Sequence, residues 1–189
     1  MADDDAREDV HEGQPEPPDP KPDDEVAAAI IDRFPESRFL RSHGQAVVYV
    51  DRSVFADVAR VLRDEQQFTM CVDIAATDHL LDGVRHAPNG LKLERYEVVA
   101  NFLSHVRNRR VRVICEVPAD DLSVPSLTAV YPGTNFPERE TFDLFGIDFV
   151  GHPELTRILM PDDWDGHPLR KDYPPARVPV TFKGDPHPR

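Results

Sequence analysis

Cysteine is scarce in this 189-residue chain: Cys71 and Cys115 are the only two. They stand far apart, each inside an apolar segment. That pattern fits two buried reduced thiols better than a disulfide framework or a four-ligand zinc or iron–sulfur site. Long apolar runs are missing as well. None approaches the roughly 20 residues that cross a bilayer, and stretches such as AVVYV at 46–50 are strand-sized. The amino-terminal MADDDARED lacks an apolar centre and is neither a secretory signal nor an Arg-rich transit peptide. The expectation is a prokaryotic chain that stays in the cytoplasm, or a mature form already processed. There is no GxGxxG, no P-loop and no regular βαβ alternation, so no nucleotide site is indicated. Basic charge is in deficit, with 22 Lys and Arg against 35 Asp and Glu, a net of −13. Most of the deficit lies in residues 1–25, which hold 11 acidic and 2 basic side chains; the remainder holds 24 and 20. A body so nearly balanced gives no electrostatic case for nucleic acid as a partner.

What is present divides into four regions. Residues 1–24 carry five prolines and almost no large apolar side chain; such a tail cannot offset its ordering entropy and is expected to be disordered. Residues 25–135 read as one α+β domain, and the length suffices for one sizeable core. DDEVAAAIIDRFP predicts a short helix with Val26, Ala29 and Ile30 on one face and Pro35 stopping it. QAVVYV predicts a strand. SVFADVARVLRDE predicts an amphipathic helix carrying Val54, Phe55, Val58, Val61 and Leu62, with Ser53 as its cap. FTMCVDIAATD predicts a strand running into a turn. RYEVVANFLSH alternates with Tyr96, Val98, Ala100 and Phe102 on one side, and RRVRVICEVP with Val111, Val113, Cys115 and Val117 inward. The VRNR between them is hairpin-length. SLTAVYPG is read as a further strand end. The fold class expected is α+β: a small, mainly antiparallel sheet with helices packed on it, followed by a long irregular C-terminal arm. In residues 136–175, FPERETFDLFG predicts a short helix with Pro137 at its first position, Glu138 and Glu140 at its positive end, an Arg139–Asp143 pair at i, i+4, and Gly146 at its exit. The rest of that region is rich in Pro, Gly, His and charge, and so long an irregular stretch points to function or an extended arm. Residues 176–189 are expected to be irregular.

The arm holds the chemical candidates. Gly-His-Pro occurs twice, at 151–153 and 166–168. His152 and His167 are too widely spaced for a helical HExxH pair, and Asp162, Asp163 and Asp165 complete a zinc site only on paper. Each His-Pro reads better as a turn. Glu138, Glu140 and Asp143 could form an acid/base set, but their place at a helix start, with Arg139 nearby, already has a structural explanation. Ser123 and Ser126 are not in GxSxG, and both cysteines sit on apolar segments, so nucleophilic catalysis has little support. Arg170 in LRKD could clamp an anion, pair with Asp172 as Lys171 could, or meet a partner protein's carboxylate, the reading preferred. Trp164 in PDDWDG is either a plug for its own loop or an interface anchor. No catalytic, cofactor-binding or metal residue is assigned, which favours an interaction subunit over an autonomous metal- or carboxylate-dependent enzyme.

The block ERETFDLFGIDFVGHPELTRILMPDDWDGHPLRKDYP, 138–174, resembles the signature of the thirty-kilodalton subunit of respiratory complex I, the NADH–quinone oxidoreductase. The likeness extends through DIAATD (73–78), RYEVVANFLSH (95–105) and VPSLTAVYPGTNFPERE (124–140). Tyr131 and Phe136 stand where the family often has Trp, and Pro137 is unusual beside ERE. The resemblance implies a non-catalytic scaffold subunit of the peripheral arm, lying against the large quinone-module subunit and neighbouring iron–sulfur subunits. It implies no cofactor on this chain, in a complex that uses FMN, iron–sulfur clusters, NADH and quinone. It implies indirect membrane contact at the cytoplasmic face. Glu138, Arg139, Glu140, Asp143, His152, Arg157, Trp164, His167, Arg170, Lys171 and Asp172 are the expected partner-docking residues. The same family occurs in membrane-bound hydrogenase, formate hydrogenlyase, F420H2 dehydrogenase and photosynthetic NDH complexes, where the electron donor or acceptor differs. The end at Arg189 suggests a separate chain, not a fusion to the large subunit.

Overall fold

The computed structural model describes residues 22–85 and 87–174. The expected tails, 1–24 except its last three residues and 176–189, lie outside the described residues. Asp24 opens the first helix α1 (Glu25–Arg33): its carboxylate accepts from the N–H groups of Val26 and Ala27, satisfying two of the donors a helix start leaves open. The buried face is Val26, Ala27 and Ile30, so Ala27 takes the place expected of Ala29, which is only half-buried.

Two strands follow as a hairpin, β1 (Arg38–Ser42) and β2 (Gln45–Val50). His43 and Gly44 between them both have positive φ, 50° and 77°, the backbone that a two-residue hairpin turn requires. A 3-10 turn (Arg52–Val54) then leads into helix α2 (Phe55–Asp64). Asp51 caps that turn by accepting from the Ser53 N–H; Ser53 is therefore the capped residue and not the cap. Phe55, Val58, Ala59, Val61 and Leu62 form the buried stripe of α2.

The main sheet adds β3 (Met70–Asp78), β4 (Tyr96–Ser104) and β5 (Arg109–Val117) in the order β1-β2-β5-β4-β3. Every join is antiparallel except β2 with β5, which is parallel. The two alternating sequences deliver the inner face as expected: Tyr96, Val98, Ala100 and Phe102 on β4 and Val111, Val113, Cys115 and Val117 on β5 are all buried. The helices cover this face and share its core, so the fold is the α+β arrangement read from the sequence. A smaller core of Val47, Tyr49 and Ile114 forms on the opposite face under Leu91 of the β3–β4 loop.

The segment after β5 departs from expectation. SLTAVYPG forms no strand over Leu127–Tyr131, because the Leu127 carbonyl accepts from both Val130 and Tyr131 in a turn. The strand nearby is β6 (Ser123–Pro125), paired in parallel with β7 (Asp148–Val150). Between them lies helix α3 (Asn135–Phe145), led in by a 3-10 turn at Pro132–Thr134. Pro137 is its third residue, not its first. Gly146 ends it with φ 72°, the left-handed C-terminal stop.

Candidate functional site

Residues 151–174 have no helix or strand, yet they follow a fixed path, because two buried carboxylates and the end of α3 hold them. Asp143 is the first anchor. It lies on the inward side of α3 with a fully buried side chain. One oxygen accepts from Arg157 Nη1 at 2.6 Å; the other accepts from three successive backbone N–H groups, Ile158 (3.0 Å), Leu159 (2.7 Å) and Met160 (2.9 Å). Burial pushes this carboxyl up, but the three N–H groups and Arg157 outweigh it and hold it at about 2. Arg157 reaches on with Nη2 to the carbonyls of Trp164 and Gly166, closing the arm into a loop. The predicted Arg139–Asp143 pair does not form. Arg139 instead donates to the carbonyls of Thr156 and Arg157 and to the Thr156 hydroxyl.

The second anchor is the C-terminus of α3, whose last carbonyls have no partner within the helix. Asp143 O accepts from His167 Nδ1 (2.9 Å), Leu144 O from the Leu169 N–H (3.0 Å), and Phe145 O from Arg170 Nε (2.6 Å). The Arg170 charge sits at the negative end of the helix dipole. Burial, and then the nearby Arg170 and Arg157 charges, lower the His167 pKa, so His167 is a neutral imidazole donating through Nδ1. A Cβ at Gly146 would come within 2.5 Å of His167 Nε2, and closer still to Arg170. Glycine is thus needed there twice, for its φ and for the arm lying on it. Gly146→Ala is expected to cost about 1–2 kcal/mol in backbone strain alone and to lift His167 and Arg170. Loss of amide protection at Leu169 and Arg170, with thermal unfolding displaced downward, checks it.

The third anchor, Asp78 at the end of β3, is not among the expected site residues. Its buried carboxylate accepts from the N–H groups of Leu80 and Lys171 and from Arg95 Nε and Nη2, all at 2.8–3.0 Å. Burial pushes Asp78 up; Arg95 and the two N–H groups reverse this and leave it at about 2. Arg95 also pairs with Asp172 at 2.8 Å and lies over the Tyr96 ring. Asp172 therefore takes its partner from the domain, not from Arg170 or Lys171 within LRKD. Both lowered carboxyls contribute stability that is complete above their unfolded pKa near 4 and lost as pH falls through about 2, roughly 2 kcal/mol each. The Ile158, Leu159, Met160 and Lys171 amides are expected to stay protected from pH 7 down to about 4 and to lose protection below it. Hydrogen exchange across that range tests this, and a loss already complete at pH 5 would refute it.

Glu138, also fully buried, belongs to a separate knot under the arm. It accepts from Ser126 Oγ (2.6 Å), the Leu127 N–H (2.7 Å) and Thr134 Oγ1 (2.8 Å). Burial raises its pKa against these three bonds and the neighbouring His152. His152 takes the Glu154 N–H on Nδ1 and contacts the Asn135 carbonyl through Nε2, consistent with a turn. Glu140 is exposed, as is the Lys171 side chain, and Trp164 is half-buried with its indole N–H unpartnered. Glu138, Glu140 and Asp143 do not share a pocket: the first and last are bonded into different networks, and the second faces solvent. Among the described residues no three His, Cys, Asp or Glu side chains converge as metal ligands. No helix among them is long and apolar enough to cross a membrane.

Residues 48–178 match the family model for the respiratory-chain NADH dehydrogenase 30 Kd subunit. Among curated relatives, an NADH-quinone oxidoreductase subunit of Saccharopolyspora erythraea is 45% identical over 143 residues, 75% of this chain and 54% of the relative. The corresponding subunit of Salinispora tropica is 39% identical over 168 residues, 85% of this chain and 65% of the relative. The chain thus spans between about half and two thirds of the length of these two proteins. A solved trypsin-resistant fragment of Nqo5 is 27% identical with a TM-score of 0.59, covering 69% of this chain and 99% of the fragment. A chain of an archaeal membrane-bound sulfane sulfur reductase shares the fold, with a TM-score of 0.64 at 22% identity over 79% of this chain and 84% of that one.

Proposed function

The chain belongs to the 30 kDa subunit family of respiratory-chain NADH dehydrogenase, and from that premise we propose that it is a non-catalytic scaffold of the peripheral arm of NADH–quinone oxidoreductase. It holds the large quinone-module subunit and neighbouring iron–sulfur subunits in register, at the cytoplasmic face of the cell membrane and without entering it. FMN, the iron–sulfur clusters, NADH and quinone belong to its partners. The observation that carries the reading is the division of labour in the arm. Arg157, His167, Arg170 and Asp172, with the backbone N–H groups of 158–160, 169 and 171, are engaged inward, on Asp143, Asp78 with its partner Arg95, and the end of α3. Leu155 packs on the core, but two of the arm's leucines point away: Leu159 and Leu169 are 59% and 47% exposed, and Phe136 on α3 is 63% exposed. A rigid strap that holds large apolar groups out from the domain suits their use as anchors in pockets of a partner. Electron transfer needs fixed separations between cofactors, and a strap pinned at three points keeps its partners from drifting.

This arrangement changes what Arg139 and Arg170 are expected to do. Both are bonded within the chain, so replacing either with Ala acts on assembly by loosening the arm. The direct test is the double variant Leu159→Asp with Leu169→Asp. It is expected to leave the isolated chain's melting temperature unchanged and to lower the assembled complex on native gels about tenfold or more. Equal amounts of complex from variant and wild type would refute the scaffold reading.

A further inference from the structure

A cleft with no residue of the arm in its lining has donors with nothing to bind. It encloses about 720 Å³ between the end of α1, the ends of β2 and β5 and the β3–β4 loop, a size typical of small-molecule sites. Phe34, Pro35, Val54, Leu91 and Pro118 supply apolar walls. Its charged groups balance nominally, so the deciding question is which of them are already engaged. Arg33 pairs with Glu65, Arg52 with Asp121, and Lys92 with Glu94. Asp51 accepts from Ser53, and Glu116 accepts from Arg85 and the Glu94 N–H. Glu36 is exposed at the rim.

What remains over inside the cleft is the Arg38 guanidinium and the hydroxyls of Tyr49 and Ser37, with the Glu36 carboxylate at the rim. Arg38 has no acidic partner among the described residues. Its Nη1 is fixed on the carbonyls of Pro35, Glu36 and Ser37, which leaves the Nε and Nη2 edge of the guanidinium, a fork matched to a carboxylate. Tyr49 is the direct cross-strand neighbour of Arg38. It is 95% buried, at 5% exposure, and its hydroxyl has no hydrogen-bond partner among the described residues. Burial, with Glu97 and Glu116 nearby, pushes that phenol up to about 12, so it is a donor at any physiological pH. Ser37, also in the lining, is buried with its hydroxyl unpartnered.

We infer that this cleft binds a small organic carboxylate with an apolar body. Arg38 clamps the carboxylate through Nε and Nη2, Tyr49 donates to it, and the hydrocarbon part lies against Phe34 and Leu91. The inference is independent of the scaffold role, since no residue of the arm takes part.

The test uses the full chain, labelled with nitrogen-15, titrated with 2-naphthoate and separately with neutral 2-naphthamide. Saturable shifts from naphthoate are expected, confined to residues 34–38, 49–54 and 91–94. Naphthamide is expected to bind about tenfold more weakly or worse, because it cannot satisfy the guanidinium fork. Tyr49→Phe keeps the ring in place, and Arg38→Gln keeps most of the stem; each is expected to weaken naphthoate about tenfold with an unchanged amide spectrum elsewhere. Absence of saturation by about 10 mM naphthoate, which corresponds to negligible affinity, would overturn the proposal. So would equal binding of acid and amide, or undiminished binding by both variants.

Discussion

Asp143→Ala is expected to detach the arm while leaving the sheet folded. The substitution removes one side chain but four hydrogen bonds. Three amides, at Ile158, Leu159 and Met160, lose their acceptor, and Arg157 keeps its charge in a half-closed loop with no carboxylate beside it. Removing one partner of a buried pair typically costs about 3–5 kcal/mol. Here the loss is capped, because the arm can peel away and let Arg157 and the amides hydrate. The destabilisation therefore cannot exceed what the arm itself contributes. Its signature is local: amides from 157 to 170 lose exchange protection by a factor of about a hundred, as about 3 kcal/mol implies, while β4 and β5 amides keep theirs. Asp143→Asn is expected to fall between, since its single carbonyl can still serve one or two amides but cannot neutralise Arg157. Unchanged protection across 157–170 in the Ala variant would show that Asp143 is not the anchor.

The reason that this anchor is only half-legible in the sequence is physical. FDLFG announces a helix end, and the family resemblance puts Asp143 among the expected docking residues, but local spacing points to the wrong partner. A separation of i, i+4 permits an Arg139–Asp143 pair. Asp143, however, lies on the buried side, where a carboxylate needs several donors at once, and three consecutive amides plus Arg157 outweigh the one guanidinium of Arg139, which is itself engaged by Thr156 and Arg157. Those donors lie 14 to 17 residues away along an irregular path, and no periodicity encodes an irregular path. Asp78 is invisible as a site for a similar reason. Its partner amide at Lys171 is 93 residues distant, and locally DIAATD reads only as the end of a strand. By contrast β4 and β5 are legible because alternation is a local consequence of burying one face. Strand β1 escapes a sequence reading because Arg38 and Arg41 interrupt that alternation on an edge, although His43-Gly44 carries the hairpin signal. Strands β6 and β7, three residues each, are too short to show any period.

The knot at Glu138 is expected to separate two meanings of a buried carboxyl. If Glu138 were a general acid or base, Glu138→Gln would abolish its purpose and Glu138→Ala would do little more. The geometry calls for the opposite ordering. Glu138 receives three hydrogen bonds, from Ser126, Leu127 and Thr134, and two of those donors are hydroxyls that can rotate to accept. Glutamine therefore fits. Its carbonyl replaces Oε1 for the Leu127 N–H and the Thr134 hydroxyl, and its NH2 donates to a turned Ser126 hydroxyl. Glutamine also escapes the burial that raises the carboxyl's pKa, so Glu138→Gln is expected within about 1 kcal/mol of wild type, of either sign. Alanine leaves the Leu127 amide without an acceptor in a fully buried site and opens a void, at about 3 kcal/mol or more. For a chain of this size that lowers the melting temperature by roughly 6–12 °C. Because Leu127 sits at the turn that joins β6 to α3, the loss also slackens the base on which Asp143 and the arm are mounted. Under the proposed scaffold role, assembly into the larger complex should then fall for Glu138→Ala and persist for Glu138→Gln, read by calorimetry on the isolated chain and native gels on membranes. A Gln variant as damaged as the Ala variant would mean that the charge itself is required.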